Sequence, residues 1–256
     1  MKRIHLFEFE DLPWFPSLLR NYGTEFLQFL SSKTSMHKPI IPLIEKGLTK
    51  SGTNQIIDLG SGGGGGLLGI NEALKEKGVK VVLTDYFPNI EAFEYTKSLA
   101  DNISFIREPV DARKVPSTLL GLRTQFLSFH HFKPSEAKLI LQNAVSSRQS
   151  ILVVEAQERS FASLIAMFLS PLTVLITTPF IRPFSWGRIL FTYLIPLVPF
   201  FIWWDGLVSS LRTYSLKELN TLIQEADSQG EFDWESGRLK SGPGIILYLL
   251  GTDKSR

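Results

Sequence analysis

The chain has 256 residues, 44% of them hydrophobic and 20% charged, and its 27 basic and 25 acidic side chains leave a net charge of +2. That length can bury a real core as one large domain or two small ones, and a balanced, unclustered charge argues against a nucleic-acid partner. There is no cysteine, which excludes disulfides, thiolate catalysis and cysteine-based metal sites.

The opening MKRIHLFEFEDLPWFP starts basic, but Glu8, Glu10 and Asp11 interrupt any apolar run. It does not read as a secretory signal, and a cytoplasmic location is the default expectation. Residues 12–50 read as helices broken at Pro13, Pro16, Pro39 and Pro42. An alternation follows. QIIDL (55–59) is a short strand, Leu67 to Lys77 a helix stopped by Gly78, and VKVVLT (79–84) a strand. Asn89 caps a helix to Ala100, and ISFIRE (103–108) and RTQFLSF (123–129) are strands. Pro134 opens a helix to Val145, and SILVVEA (150–156) is a fifth strand.

Residues 161–181 and 189–204 are then two uncharged apolar runs. Ser215 and Glu218 make a capping-box pattern for a helix over 215–226, and EFDWESGRL and GIILYLLG (244–251) supply two closing strands. Strands alternating with helices at this spacing predict βαβ units and a parallel sheet. The expected organisation is an N-terminal helical cap over 1–50 and one α/β domain over 51–256 with an apolar insertion at 160–211.

The glycine run Gly62–Gly66 sits between the first strand and a helix. Glycine there allows positive φ and lets a ligand approach without a Cβ, while the next helix offers free N–H groups to a polar or anionic group. The dinucleotide pattern G-x-G-x-x-G is met by Gly60, Gly62 and Gly65, a weak match because a glycine run meets almost any such pattern. A P-loop is excluded, because no Lys-Ser or Lys-Thr follows.

The motif Asp58-Leu59-Gly60-Ser61-Gly62 after an apolar strand resembles the first motif, D-x-G-x-G, of class I S-adenosylmethionine (SAM)-dependent methyltransferases. The resemblance covers residues 55 to about 156, with weaker support to the C-terminus. It implies a Rossmann-like, doubly wound seven-stranded sheet, mostly parallel with an antiparallel last strand, and SAM as cofactor. It further implies that Asp58, Gly60, Ser61, Gly62 and Gly64 hold the amino-acid end of SAM, which carries an ammonium group. Asp85 would accept from the ribose hydroxyls, with Tyr86 packing on adenine. Asp111 and Ala112 would lie near the adenine amino group, and Phe129 by the cofactor at the end of the fourth strand. The alternatives are a solvated strand end for Asp85 and a loop acid or helix cap for Asp111. Gly65 and Gly66 exceed what the motif needs.

His130 and His131 fall where methyl transfer usually takes place in this family. As neighbours at a strand end they are expected to point to opposite faces. One could be the base that takes a proton from a hydroxyl acceptor. Alternatively, one lines the pocket and the other packs or caps the next helix. No metal is expected, because His5 and His37 lie far away and no ligand spacing is present. Glu155 and Arg159 either face the substrate or form an ordinary salt bridge. Asp205, in an apolar context, would be costly to bury unpaired, and pairs with Arg212 or marks the substrate site.

The first apolar run approaches the ~20 residues of a membrane-spanning helix. Pro171 and Pro179 break it, Pro196 and Pro199 break the second, and Arg182, Trp186 and Arg188 between them suit an interface. The expectation is a monotopic or re-entrant hairpin at the inner face of the membrane, with a buried helical pair or a dimer interface as the alternatives. The sequence thus points to methyl transfer onto an apolar, membrane-borne small molecule. Its rivals are an NAD(P)-dependent oxidoreductase and a non-catalytic SAM-binding membrane-associated protein.

Overall fold

Five short runs of apolar residues, each separated by a helix-length spacer, have only one economical arrangement: side by side in parallel, with the helices covering both faces. The computed structural model describes residues 1–34, 38–242 and 244–255, so His37 lies outside the described residues. It has a seven-stranded sheet of order β3-β2-β1-β4-β5-β7-β6, from β1 (Gln55–Leu59), β2 (Lys80–Thr84), β3 (Ile103–Phe105), β4 (Leu122–Phe126), β5 (Ile151–Glu155), β6 (Phe232–Ser241) and β7 (Gly244–Asp253). β1 to β5 are parallel, and β7 runs antiparallel between β5 and β6. Every residue of β4 and β5 is buried, as expected of strands covered on both faces.

The helices are α1 (Ser17–Thr34), α2 (Ile41–Ser51), α3 (Gly65–Leu68), α4 (Asn71–Glu76), α5 (Ile90–Leu99), α6 (Pro134–Ser146), α7 (Phe161–Phe168), α8 (Ser170–Thr177), α9 (Trp186–Ile189), α10 (Leu197–Arg212) and α11 (Leu216–Ala226). α2, α4 and α5 help build the core on one sheet face, with Ile44, Leu74 and Phe93 fully buried. α6 and α11 build the other, through Ile140, Leu141 and Leu219. Asn89 caps α5 by accepting from the Ala92 N–H, and Ser215 and Glu218 close the capping box of α11. The helix expected over 67–77 splits into α3 and α4 around Gly69 and Ile70.

The apolar insertion forms its own layer with the N-terminus. Phe15, Leu19, Tyr22 and Phe26 of the N-terminal region pack on Val174, Ile181, Val198 and Phe201 as a third core. Part of the segment is therefore a buried helical assembly. Among the described residues no single helix is long and apolar enough to cross a membrane. Two bent pairs together meet that length and composition: α7 with Ser170–Phe180, bent by 43°, and Trp186–Leu194 with α10, bent by 75°. Many apolar side chains of the insertion remain exposed, among them Phe161, Trp186 and Leu194 at 75%, 78% and 76%.

Candidate active site

In a parallel sheet all the strands end at one edge, and at a crevice there the chain can gather loops from distant parts of the sequence. Here the edge carries, in spatial order, the turns after β3, β2, β1, β4 and β5.

The turn after β1 is a tight glycine loop. Gly60, Gly62 and Gly64 have φ of 68°, 55° and 74°. At Gly64 a Cβ would stand 2.6 Å from the Leu83 side chain, so glycine there serves packing as well as conformation. At Gly62 nothing lies within 4 Å of such a Cβ, and the backbone is open to a ligand. Ser61 fixes the loop: its N–H donates to the Thr84 carbonyl at 3.0 Å and its hydroxyl to the Asp58 carbonyl at 2.9 Å. Asp58 itself is 3% exposed, and its Oδ1 accepts from the Thr124 hydroxyl at 2.6 Å. Burial raises its pKa to about 7, against hydrogen bonds from Thr124 and Ser61 that lower it. A buried carboxylate with hydroxyl partners suits a cation brought by a ligand.

Asp85, one residue past β2, accepts from the Gly62 N–H at 2.9 Å and the Phe87 N–H at 2.8 Å. Burial pushes its pKa up despite these bonds. Tyr86 and Phe87 stand beside it, exposed and edge to face at 4.8 Å. The Val110 N–H donates to the Asp85 carbonyl at 2.8 Å, which brings the turn carrying Asp111 and Ala112 alongside. Asp111 caps a short 3-10 turn and pairs with Arg113 at 2.8 Å, and Arg113 also reaches Glu136. Ala112 is buried under the turn.

The turn after β4 differs from expectation. β4 stops at Phe126, because Leu127 takes φ 53°, a left-handed value uncommon for a side chain of this type. Phe129–His131 then form one turn of 3-10 helix. His130 and His131 are therefore not strand neighbours on opposite faces. Their rings lie side by side, with centroids 4.3 Å apart. Phe129 turns inward, 1% exposed, against Tyr214. Ser128 keeps the turn beside the glycine loop: a Cβ on Gly60 would meet its hydroxyl at 3.2 Å.

His130 is 2% exposed and is held by Glu155 at the end of β5, also 2% exposed. Its N–H lies 2.9 Å from Glu155 Oε1 and its Nδ1 2.8 Å from Oε2. With Nδ1 as the donor, the ring presents Nε2 as an acceptor. Gln157 reaches the same Glu155 oxygen at 3.2 Å. Arg159 pairs with Glu218 at 2.5 Å instead.

Nothing local in the sequence marks Glu8 and Asp11 as partners of the histidines. An N-terminal strap crosses this turn, held to α10 by Arg212 Nε on the Leu6 carbonyl at 2.8 Å and by Asp205 accepting the N–H groups of Phe9 and Glu10 at 2.7 and 3.2 Å. Asp205 thus pairs with backbone rather than with Arg212, and burial raises its pKa to about 7. The strap puts Glu8 3.8 Å from His130 Nε2 and Asp11 2.8 Å from His131 Nδ1. For His131, burial lowers the pKa, but Glu8 and Asp11 outweigh it and hold the group at about 9. Arg212 closes the cluster at 3.2 Å from Glu8 and 2.7 Å from Asp11.

No protein-family model matches the chain, and no curated protein matches it in sequence. Solved structures do match. The plantazolicin methyltransferase BpumL in complex with SAH aligns with a TM-score of 0.54 at 16% identity, over 93% of this chain and 88% of that one. Human N-acetylserotonin methyltransferase in complex with SAM gives 0.52 at 15%, over 94% of this chain and 59% of that one. A putative O-methyltransferase from Nostoc punctiforme gives 0.51 at 13%, over 90% and 59%. At these identities the likeness is one of fold: the chain has the Rossmann-like architecture of class I methyltransferases, with the strand order and antiparallel β7 described above.

Proposed function

We propose that this protein transfers a methyl group from SAM to a hydroxyl of an apolar small molecule gathered at a membrane surface. The observation that carries the reading is the pairing of His130 with buried Glu155, one turn from a glycine loop flanked by Asp58 and Asp85. The donor set fits SAM. Asp58 is a buried carboxylate with neutral partners, suited to the ammonium of the amino-acid end, and the open backbone at Gly62 leaves room for the ligand. A ribose hydroxyl donating to Asp85 would replace the Gly62 N–H. The two structures matched above with SAH and SAM in place are methyltransferases, which supports the same cofactor here.

When bound, SAM supplies an electrophilic methyl on a sulfonium. The chain's own contribution is positioning and proton removal. With the Nδ1 proton directed to Glu155, His130 Nε2 would be the atom to take the acceptor's hydroxyl proton; it is buried and faces Glu8 of the N-terminal strap at 3.8 Å, so the acceptor would enter with the strap displaced. Burial of His130, Phe129 and Glu155 keeps water from competing. The apolar acceptor is inferred from the exposed apolar side chains of the insertion, which suit contact with one leaflet and uptake of a greasy substrate.

The test begins with parallel calorimetric titrations of SAM, S-adenosylhomocysteine and NADH, followed by labelled-methyl transfer into membrane extracts. Binding of the adenosyl ligands alone, with label in an extractable lipid-soluble product, is expected. His130→Gln should keep SAM affinity within a few-fold and lower turnover by about 10²–10⁴. Binding of NADH alone overturns the reading, and SAM binding with no transfer to any extract favours a non-catalytic SAM-binding protein.

A further inference from the structure

Proton transfer uses only part of the cluster beneath the N-terminal strap. His130 Nε2 is buried without a hydrogen-bond partner and faces Glu8 Oε1 at 3.8 Å. Glu8, itself 2% exposed, turns Oε2 to His131 Nδ1 at 3.5 Å. Ligand atoms of these three residues all lie within 4.8 Å of one another. Two imidazoles and a carboxylate are a donor set for zinc-class ions. Around a tetrahedral ion at 2.0–2.1 Å, donors stand roughly 3.3 Å apart, so a set spread over up to 4.8 Å has to draw together by as much as about 1.5 Å on binding. The Glu155 bond to Nδ1 is also how a metal-ligating imidazole is oriented from behind, with its proton on the far nitrogen.

An ion here takes a place now held by Arg212 Nη1, 3.2 Å from Glu8 Oε1 and 3.3 Å from His131 Nδ1, and it displaces the proton shared between His131 Nδ1 and Asp11. Arg3 donates to the His130 carbonyl at 2.8 Å. Against these two guanidinium groups stand the carboxylates of Glu8, Asp11 and Glu155. Asp11 Oδ1, 2.8 Å from His131 Nδ1, is a further oxygen donor beside the three.

We propose that Glu8, His130 and His131 form a binding site for a zinc-class divalent cation, closed by the N-terminal strap. An ion there occupies the Nε2 lone pair that proton removal needs, so the filled site is silent in methyl transfer. That consequence rests on the function proposed above, whereas the site itself does not.

The experiment is a Co²⁺ titration of the metal-free full-length protein, followed by visible absorption. One equivalent with the intense d–d bands of a four- or five-coordinate ion, displaced by Zn²⁺, is expected. Glu8→Gln and His131→Gln should abolish the bands. Glu155→Gln, which leaves all three ligands, should weaken binding about 10–100-fold. Circular dichroism on each variant reports folding. No saturable signal in the folded wild-type protein overturns the proposal, as does a signal that survives both ligand substitutions. Because the bands are read without SAM, a failed transferase assay leaves this result standing. Where transfer is observed, Zn²⁺ should suppress it in the wild-type protein at the occupancy seen spectroscopically, and activity that persists in the filled protein refutes the proposed silencing.

Discussion

At the scale of single residues the site is defined by two carboxylates in different surroundings. Glu155 is matched to an imidazole, whereas Asp58 is buried against hydroxyl partners and titrates near 7. An acid whose folded-state pKa is raised holds its proton more tightly when folded. Its contribution to stability is full below the ordinary value near 3.8 and is lost as pH rises through about 7. Asp58→Asn keeps an acceptor for Thr124 and removes the titration. The wild-type protein without cofactor should therefore lose about 2–3 kcal/mol relative to the variant between about pH 5 and about pH 8. Thermal melts of both proteins across that range check it, and parallel curves would mean that Asp58 is solvated or paired. A saturating ammonium-bearing ligand such as SAM should flatten the wild-type curve. Leu127 matters at the same scale: its left-handed backbone turns the chain out of β4 and sets the two histidines side by side, and nothing in the local sequence marks it.

At the scale of elements, caps and buried anchors make separable contributions. The α11 capping box was legible as Ser215 and Glu218, and the structure adds Arg159 on the same glutamate. Ser215→Ala should cost about 1 kcal/mol in a denaturant melt and leave ligand binding unchanged. The α1–α10 contact is a different case. Phe201, 3% exposed, meets Phe15 edge to face at 5.2 Å and lies under Gly23, where a Cβ would touch its ring at 2.9 Å. Phe201→Ala should cost about 3–5 kcal/mol if the insertion and the N-terminal region fold as part of one cooperative unit. A loss below about 1 kcal/mol, or a separate early transition, would show that this layer melts independently of the sheet.

At the scale of the whole molecule, the apolar insertion has two faces. One is buried against the N-terminal region, and the other leaves Phe161, Trp186 and Leu194 in the open. Replacing those three by serine should weaken co-sedimentation with lipid vesicles at least about tenfold, while the melting temperature moves by only a few degrees, because the groups removed are exposed. Vesicle binding that is absent in the wild-type protein, or unchanged in the variant, would remove the membrane from the reading. The sequence by itself determined the sheet, because strand alternation, the turn at Gly60–Gly64 and the caps at Asn89 and Ser215 are local signals that burial only reinforces. It also put Asp58, Asp85 and the histidine pair at one edge of the sheet, since in a parallel sheet the end of each strand reaches the same edge, but it missed the 3-10 turn that sets the two imidazoles side by side. Only the tertiary structure decided what faces the histidines. Glu8 and Asp11 come from a strap more than a hundred residues away, seated by Asp205 and Arg212 on α10. Such pairings have no period and no motif: they exist because buried charges must find partners once the chain has folded, and those partners are chosen by packing.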